Sequence, residues 1–205
     1  MIKDPFKQIL SFLKAKKKLK RPTNIFPYIY MFVDENKNVV IFPTNWTNEP
    51  IEQMSGGPEP EMAYAYLSCY YPIELKHPYT TEELSEKIKV GLDECGKHDC
   101  HTELSGQKII EAKYYGVKSF KRATYGKRHI TLSYDPEGED GDVALFLPTT
   151  TAYLYMSLFP GRKMPKGSTL MDYAKVVMEF IEMDVTQADE FKKNRKRLNW
   201  PNDPV

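Results

Sequence analysis

The chain has 205 residues and a mass of 23.8 kDa, enough to bury a hydrophobic core in one domain. Its 41% hydrophobic and 28% charged residues are typical of a globular protein, and no apolar run reaches the roughly 20 residues needed to cross a bilayer. The net charge of +1 hides a segregation, because residues 22–187 carry 16 Lys/Arg against 24 Asp/Glu while both ends are basic.

The cysteine count and the N-terminal sequence bear on the compartment. Three cysteines are an odd number, which argues against a disulfide framework and suits a reducing environment. The N-terminus lacks the uninterrupted apolar core and the small-residue cleavage site of a secretory signal. We therefore expect a cytoplasmic protein that does not act at a membrane.

The first 20 residues predict a short amphipathic helix. Asp4 is suited to cap it and Pro5 to open its first turn, and a run of lysines follows. Such a helix can meet a membrane surface or nucleic acid, or it can dock on its own domain with its lysines in solvent. We expect the docked arrangement for residues 4–20, and a second basic segment, a fraying helix, over residues 188–205.

Residues 26–95 predict a hairpin followed by a helix. Two runs rich in Ile, Val, Phe and Tyr flank the turn-forming letters DENKN, which is typical of a β-hairpin. After a loop with paired glycines and several prolines, residues 62–75 predict a further strand. The next segment predicts a helix capped by Thr80 or Thr81.

The letters ECGKHDCH, at residues 94–101, gather soft metal ligands at the end of this helix. Zinc sites usually draw four Cys or His from two separate turns, whereas here one short loop would have to wrap the ion with Cys95, His98, Cys100 and His101. We therefore expect no metal. The ordinary interpretation is that Gly96 ends the helix in a left-handed conformation and that Cys95 is buried near its last turn.

Residues 113–128 read KYYGVKSFKRATYGKR, with six cations, four aromatics and no acid. Cations that neutralise phosphates and aromatics that stack on bases are typical of a nucleic-acid surface. The same composition also fits a strand and turn in which the cations face solvent and the aromatic side chains point inward. We expect the second arrangement, because the acidic body of the chain would repel a polyanion.

The second half repeats the order of the first. RHITLSYDPEGEDGDVALFLPTT predicts strand, polar turn and strand, and STLMDYAKVVMEFIEM predicts a capped amphipathic helix. VVIFPTN in the first half is echoed by VALFLPTT in the second. This points either to an internal duplication of residues 26–95 and 115–183 or to a recurring way of ending a strand. We predict a single α+β domain over residues 1–205, with a largely antiparallel sheet and helices packed on one side of it.

The turn of the second hairpin is unusually acidic. Two glycines lie among carboxylates that repel one another unless something cationic meets them, and the spacing fits a calcium loop only in part. The alternatives are a merely solvated turn and a surface that recognises a basic partner. The residues concerned are Asp135, Glu137, Glu139, Asp140 and Asp142, and Tyr134 precedes them.

Recognised catalytic motifs are absent from the sequence. It has no G-x-S-x-G elbow, no cysteine with a family signature, and no glycine-rich loop with the spacing of a phosphate or dinucleotide site. We therefore expect no enzyme, no catalytic residues and no cofactor.

The second half resembles one family of contact-dependent growth inhibition immunity proteins. The resemblance rests on GVKSFKRATYGKRHITLSYD, GDVALFLPTT and TLMDYAKVVMEFIE, which follow the family's order of a K-S-[FY]-K stretch, a strand, a Pro-Thr after the next strand and a final helix. It covers residues 115–183. It implies a bacterial cytosolic antitoxin that binds and neutralises the C-terminal toxin domain of a cognate effector, often a nuclease acting on tRNA, and that catalyses nothing.

This implication assigns the partner-binding surface to the acidic turn. A nuclease must hold RNA with Lys and Arg, so a carboxylate-rich turn can take the place of phosphates, and Tyr134 is a favoured type of interface anchor. The alternative function is that of an RNA-binding accessory protein that uses residues 113–128. The sequence leaves the oligomeric state open.

Overall fold

The structure is a computed structural model, and it describes residues 19–53, 61–100, 109–138, 140–147, 156–157 and 161–183. The tail at 188–205 and all but the last two residues of the predicted helix 4–20 lie outside this part. The elements in chain order are β1 (Tyr28–Val33), β2 (Val39–Trp46), β3 (Ile51–Gln53), β4 (Glu61–Ala63), β5 (Tyr66–Ser68), β6 (Ile73–Leu75), α1 (Thr81–Asp93), α2 (Ile110–Tyr114), α3 (Phe120–Thr124), β7 (Arg128–Ser133), β8 (Asp142–Leu147), β9 (Met156–Ser157), β10 (Arg162–Lys163) and α4 (Leu170–Glu182).

One antiparallel sheet organises these elements. Six of its strands run in the order β10-β8-β7-β1-β2-β5, while β6 also pairs with β2 and β9 with β8. Strands β3 and β4 form a separate two-stranded ladder. The predicted α+β class is confirmed, as are both predicted hairpins. None of the helices in the described ranges is long and apolar enough to cross a membrane.

The sheet is built from two similar halves that meet at β1 and β7. Tyr28 lies opposite Ser133 and Val33 opposite Arg128, so the two central strands are paired along their whole lengths. Each hairpin then carries two short strands on its outer edge, β5 and β6 on one side and β9 and β10 on the other. An evolutionary duplication as the source of this arrangement stays a prediction.

The phenylalanines of the Pro-Thr echo hold similar positions in the two hairpins. Phe42 lies opposite Tyr30 in the first hairpin, and Phe146 lies opposite His129 in the second. The Tyr30 and His129 rings lie on the same face of the sheet, with 5.3 Å between their centroids. The echo loses its register after the phenylalanine, because Pro43 follows Phe42 directly whereas Leu147 stands between Phe146 and Pro148 in the sequence.

The first face of the sheet carries the main core. Alternate strand residues point towards α1 and α4, each of which begins with a threonine capping box. The helices run antiparallel, because Lys37 contacts both Tyr79, just before α1, and Glu182, at the end of α4. The members of this core with no exposed surface are Ile29, Met31, Val39, Ile41, Leu84, Ile88, Ile130, Leu132, Val143, Leu145, Tyr173, Ala174 and Val177.

The second face of the sheet is also covered, which corrects the prediction that helices lie on one side only. Phe32, Val40 and Phe42 pack there against α2 and α3. Residues 113–128 contain the end of α2, all of α3 and the loops that follow each helix, where a strand and turn was predicted. Ser119 starts α3 by accepting a hydrogen bond from the Arg122 N–H at 3.3 Å. These helices are five residues each, too short to give a clear helical period in the sequence.

Candidate partner-binding surface

Asp135 organises the acidic turn between β7 and β8 from within. Its carboxylate accepts hydrogen bonds from the backbone N–H of Gly138 at 2.9 Å and of Asp140 at 3.2 Å. A Cβ at Gly138 would lie 2.1 Å from an Asp135 carboxylate oxygen, so the turn needs glycine there. Aspartate commonly folds a turn in this way. Asp135 is therefore a structural residue of the turn, and its two carboxylate oxygens face inward.

The turn is also held against the segment that leads into α4. The Met164 N–H donates to the Gly141 carbonyl at 2.9 Å, and the Gly167 N–H donates to the Pro136 carbonyl at 2.9 Å. With contacts on both sides of its tip, the turn has a defined conformation before any partner arrives. A surface that is already ordered loses less conformational entropy when a partner binds to it.

Tyr134 lies at the base of the turn and packs inward. Its ring meets the Tyr173 ring edge-on, with 5.1 Å between centroids, and its N–H donates to the Pro27 carbonyl at 2.8 Å. Its side chain is only partly exposed. The structure therefore gives Tyr134 a supporting position beneath the turn, where the sequence had suggested an outward anchor.

The remaining predicted carboxylates divide into two groups. Asp142 is half-buried on β8 opposite Lys163 of β10, where burial raises the pKa of its carboxyl and Lys163 partly offsets that rise. Glu137 and Asp140 are exposed, and no ion pair joins either to another residue of the described part. Glu139 lies outside the described residues. The outward charge that the structure displays is thus that of Glu137 and Asp140.

A basic rim that sequence reasoning missed adjoins this turn. Residues 162–168 and one side of α4 line a shallow depression of about 500 Å³. Its lining contains four cations, Arg162, Lys163, Lys166 and Lys175, and two acids, Asp172 and Glu179. The run GRKMPKGS before a helix cap was the available signal, since it combines cations with loop-forming Gly and Pro. A partner that covers the turn would meet this mixed-charge rim as well.

The side chains of Cys95, His98 and Cys100, which the sequence places close together, point in different directions. The Cys95 thiol donates to the Tyr28 carbonyl at 3.2 Å, inside the core. The His98 ring stacks on Tyr71 with 4.3 Å between centroids and hydrogen-bonds to the Glu94 carboxylate at 2.7 Å. Gly96 has a φ of 79°, the left-handed conformation expected at the helix end.

Cys100 points in a third direction. It is buried against Cys69, with 3.3 Å between the two sulfur atoms. Within the described ranges no three Cys, His, Asp or Glu residues are grouped so as to hold a metal ion, and His101 lies outside those ranges.

Comparisons with known proteins give no relative for this chain: no family model, no curated protein and no solved structure matches it.

Proposed function

We propose that this protein is an immunity protein, an antitoxin that binds the C-terminal toxin domain of a cognate contact-dependent growth inhibition effector in the bacterial cytoplasm. The resemblance over residues 115–183 supports the partner class. The observation that carries the proposal is the acidic turn, which is fixed by Asp135 and by the Met164 and Gly167 hydrogen bonds and which directs Glu137 and Asp140 into solvent.

The physical basis of inhibition is charge complementarity on a preorganised surface. A toxin that cleaves RNA needs Lys and Arg in its groove to hold phosphates, and two fixed carboxylates can occupy the same positions. Long-range attraction between the turn and such a groove raises the association rate. The protein acts by stoichiometric binding, so no catalytic residue is assigned to it.

The first test is genetic. The reading frame immediately upstream should encode a large secreted effector with a variable C-terminal domain. Co-expressing that domain with this protein should restore growth, and the two should co-purify as a complex. An upstream frame that encodes an ordinary metabolic enzyme, or a toxin domain that still kills when this protein is co-expressed, would overturn the proposal.

The second test addresses the surface. Replacing Glu137 and Asp140 together by alanine should weaken binding to the purified toxin domain about tenfold at low salt, mainly through slower association. The matched control replaces Glu35, at the tip of the first hairpin, and Glu86, on α1, by alanine, because both are exposed and the same two charges are removed. Equal effects of the two double variants would reject the acidic turn as the contact surface while leaving the inhibitor function standing.

A further inference from the structure

The α2–α3 segment carries a second charged surface, on the sheet face opposite α1 and α4. Tyr115 and Phe120 anchor it by packing against the cluster formed by Phe32, Val40 and Phe42. Lys118, Lys121 and Arg122 are exposed on this segment, whereas Glu111 and Thr124 are buried. The acidic turn packs instead against α4 and the segment before it, so the two surfaces can be altered independently.

Three of the six cations of residues 113–128 have structural contacts. The Arg128 guanidinium donates to the Phe180 carbonyl at 2.7 Å, near the end of α4. The Lys127 ammonium donates to the Ala123 carbonyl at 2.8 Å and lies 4.2 Å from the centre of the Tyr115 ring. The Arg128 contact joins the start of β7 to α4, and the Lys127 contacts are internal to residues 113–128. The third, Lys113, lies 4.2 Å above the Tyr70 ring.

The other three cations, Lys118, Lys121 and Arg122, are exposed and form no ion pair with any residue that the structure describes. Two of the acids that act electrostatically on the Tyr115 hydroxyl of this segment, Glu74 and Asp34, bind neutral groups. The Glu74 carboxylate accepts a hydrogen bond from the Tyr114 hydroxyl at 2.5 Å, and the Asp34 carboxylate is bound by Asn38 in its own turn. Within the part of the chain that the structure describes, these three side chains therefore carry positive charge that no ion pair neutralises.

Two exposed tyrosine rings accompany this segment. Tyr125, directly after α3, is 78% exposed, which is far more than an ordinary tyrosine at the edge of a core. Tyr70, beneath the Lys113 ammonium, is 45% exposed. A surface that combines unpaired cations with open tyrosine rings matches two features of a nucleic acid at once, its phosphates and the faces of its bases.

We propose that the α2–α3 surface binds single-stranded nucleic acid, with Lys118, Lys121 and Arg122 contacting phosphates and the Tyr125 ring stacking on a base. A single strand fits better than a duplex, because bases within a duplex are stacked on one another and do not offer their faces. An acidic polypeptide would engage the cations but would leave the exposed ring without a stacking partner.

The binding test uses the full-length protein and fluorescein-labelled oligouridine or oligothymidine of about 15 nucleotides. Fluorescence anisotropy is followed at salt concentrations from about 50 to about 200 mM NaCl. We expect a dissociation constant below about 100 μM at the lowest salt, rising steeply as salt is added. Absence of binding at that salt overturns the proposal.

The site is tested by two charge-neutralising double variants. Lys121→Gln with Arg122→Gln should weaken binding about tenfold and should reduce the slope of log K against log salt by about 1.4, because each phosphate contact to a single strand contributes about 0.7. Lys89→Gln with Lys175→Gln removes two exposed charges from the opposite face and should have a much smaller effect. Equal losses in the two variants would show diffuse attraction and would overturn the site.

Stacking and charge are separated by Tyr125→Leu and by a competitor. The leucine keeps an apolar side chain but cannot stack, so binding should weaken about fivefold or more with little change in salt slope. Polyglutamate at the same charge concentration should compete poorly with the oligonucleotide. Competition as effective as that of unlabelled oligonucleotide would reject nucleic acid in favour of an acidic polypeptide, and either result leaves the toxin-binding proposal unaffected.

Discussion

The Tyr173 hydroxyl of α4 fills the space into which a side chain at Gly141 would project. A Cβ built at Gly141 would lie 2.0 Å from that oxygen, which is too close for two atoms that are not bonded to each other. The Asp135 N–H points at the same hydroxyl from 3.4 Å. This contact fixes the last part of the acidic turn relative to the core, because the Tyr173 side chain is fully buried.

We predict that Gly141→Ala destabilises the protein by about 1–3 kcal/mol, since either the turn or the buried ring must move. Tyr173→Phe should cost about 1 kcal/mol through the lost hydroxyl contact. The double variant should be less destabilised than the two single changes imply, because phenylalanine removes the clashing atom. Urea denaturation of the four proteins measures this coupling, and strictly additive changes would contradict the packing described here.

A second prediction concerns the caps of the two long helices. Thr80 accepts a hydrogen bond from the Glu83 N–H at 3.2 Å, and Thr169 accepts one from the Asp172 N–H at 3.3 Å. Thr80→Ala and Thr169→Ala should each cost about 1 kcal/mol. The helices run antiparallel, so their N-termini lie at opposite ends of the layer and the double variant should be additive.

The matched controls for the caps are Thr80→Ser and Thr169→Ser, which keep the hydroxyl acceptor and should change the free energy of unfolding by a few tenths of a kcal/mol. Thermal or urea unfolding of the two alanine variants, their double variant and the two serine variants measures these changes in the free energy of unfolding. Losses as large with serine as with alanine would mean that the threonine methyl groups, and not the hydroxyls, stabilise these helix ends.

The hairpins and long helices could be predicted from the sequence because their signals are local. Apolar alternation, a polar turn and a threonine followed three residues later by an acid all lie within one short stretch of the chain. The pairing of β1 with β7 could not be predicted, because it joins residues about 100 positions apart. The short helices at 110–114 and 120–124 were misjudged for a different reason. The sequence did offer local signals: Ser119 can cap a helix, and Gly116 and Gly126 can adopt the positive φ that they have after α2 and α3. The prediction rested on the run of cations and aromatics instead.

The acidic turn was found from sequence, but the roles of its residues were not. The spacing Asp-Pro-Glu-Gly does indicate an aspartate that folds its own turn, so the inward position of Asp135 was within reach of local reasoning. The packing of Tyr134 on Tyr173 and the pairing of Asp142 with Lys163 depend on chain segments that meet only in the folded protein. Local patterns therefore identify a candidate surface, whereas tertiary contacts decide which of its side chains face solvent.

A third prediction concerns metal. Cys95, His98 and Cys100 point towards the core, the Tyr71 ring and Cys69 respectively, so they cannot converge on one ion without rebuilding the helix end. We expect dialysis against a chelator to leave the melting temperature unchanged, and elemental analysis of the purified protein to find far less than one zinc per chain. One equivalent of zinc, lost together with stability on chelation, would contradict this arrangement.

The last prediction follows from a buried histidine on the second face of the sheet. The His129 ring stacks on the Phe32 ring, with 4.7 Å between centroids and 16° between planes, and is only 7% exposed. Burial lowers its pKa from the ordinary value of 6.5 to about 3. The unfolded chain therefore binds a proton near pH 6.5 while the folded protein does not. Acid consequently favours the unfolded state throughout the window from about pH 6.5 down to about pH 3.

His129 alone should thus reduce the stability by about 2 kcal/mol between pH 7 and pH 5, at roughly 1.4 kcal/mol per pH unit below 6.5. Burial raises the pKa of Glu111, which acts in the opposite direction: the folded protein keeps that proton to higher pH, so acid favours folding there. Because of this opposing contribution, the informative quantity is the difference between the wild type and His129→Phe, which keeps the stacked ring and removes the titration. Between pH 7 and pH 5, the urea concentration at the midpoint of unfolding should fall clearly more for the wild type than for His129→Phe. A variant that loses as much stability as the wild type over that range would mean that His129 is protonated within the folded protein.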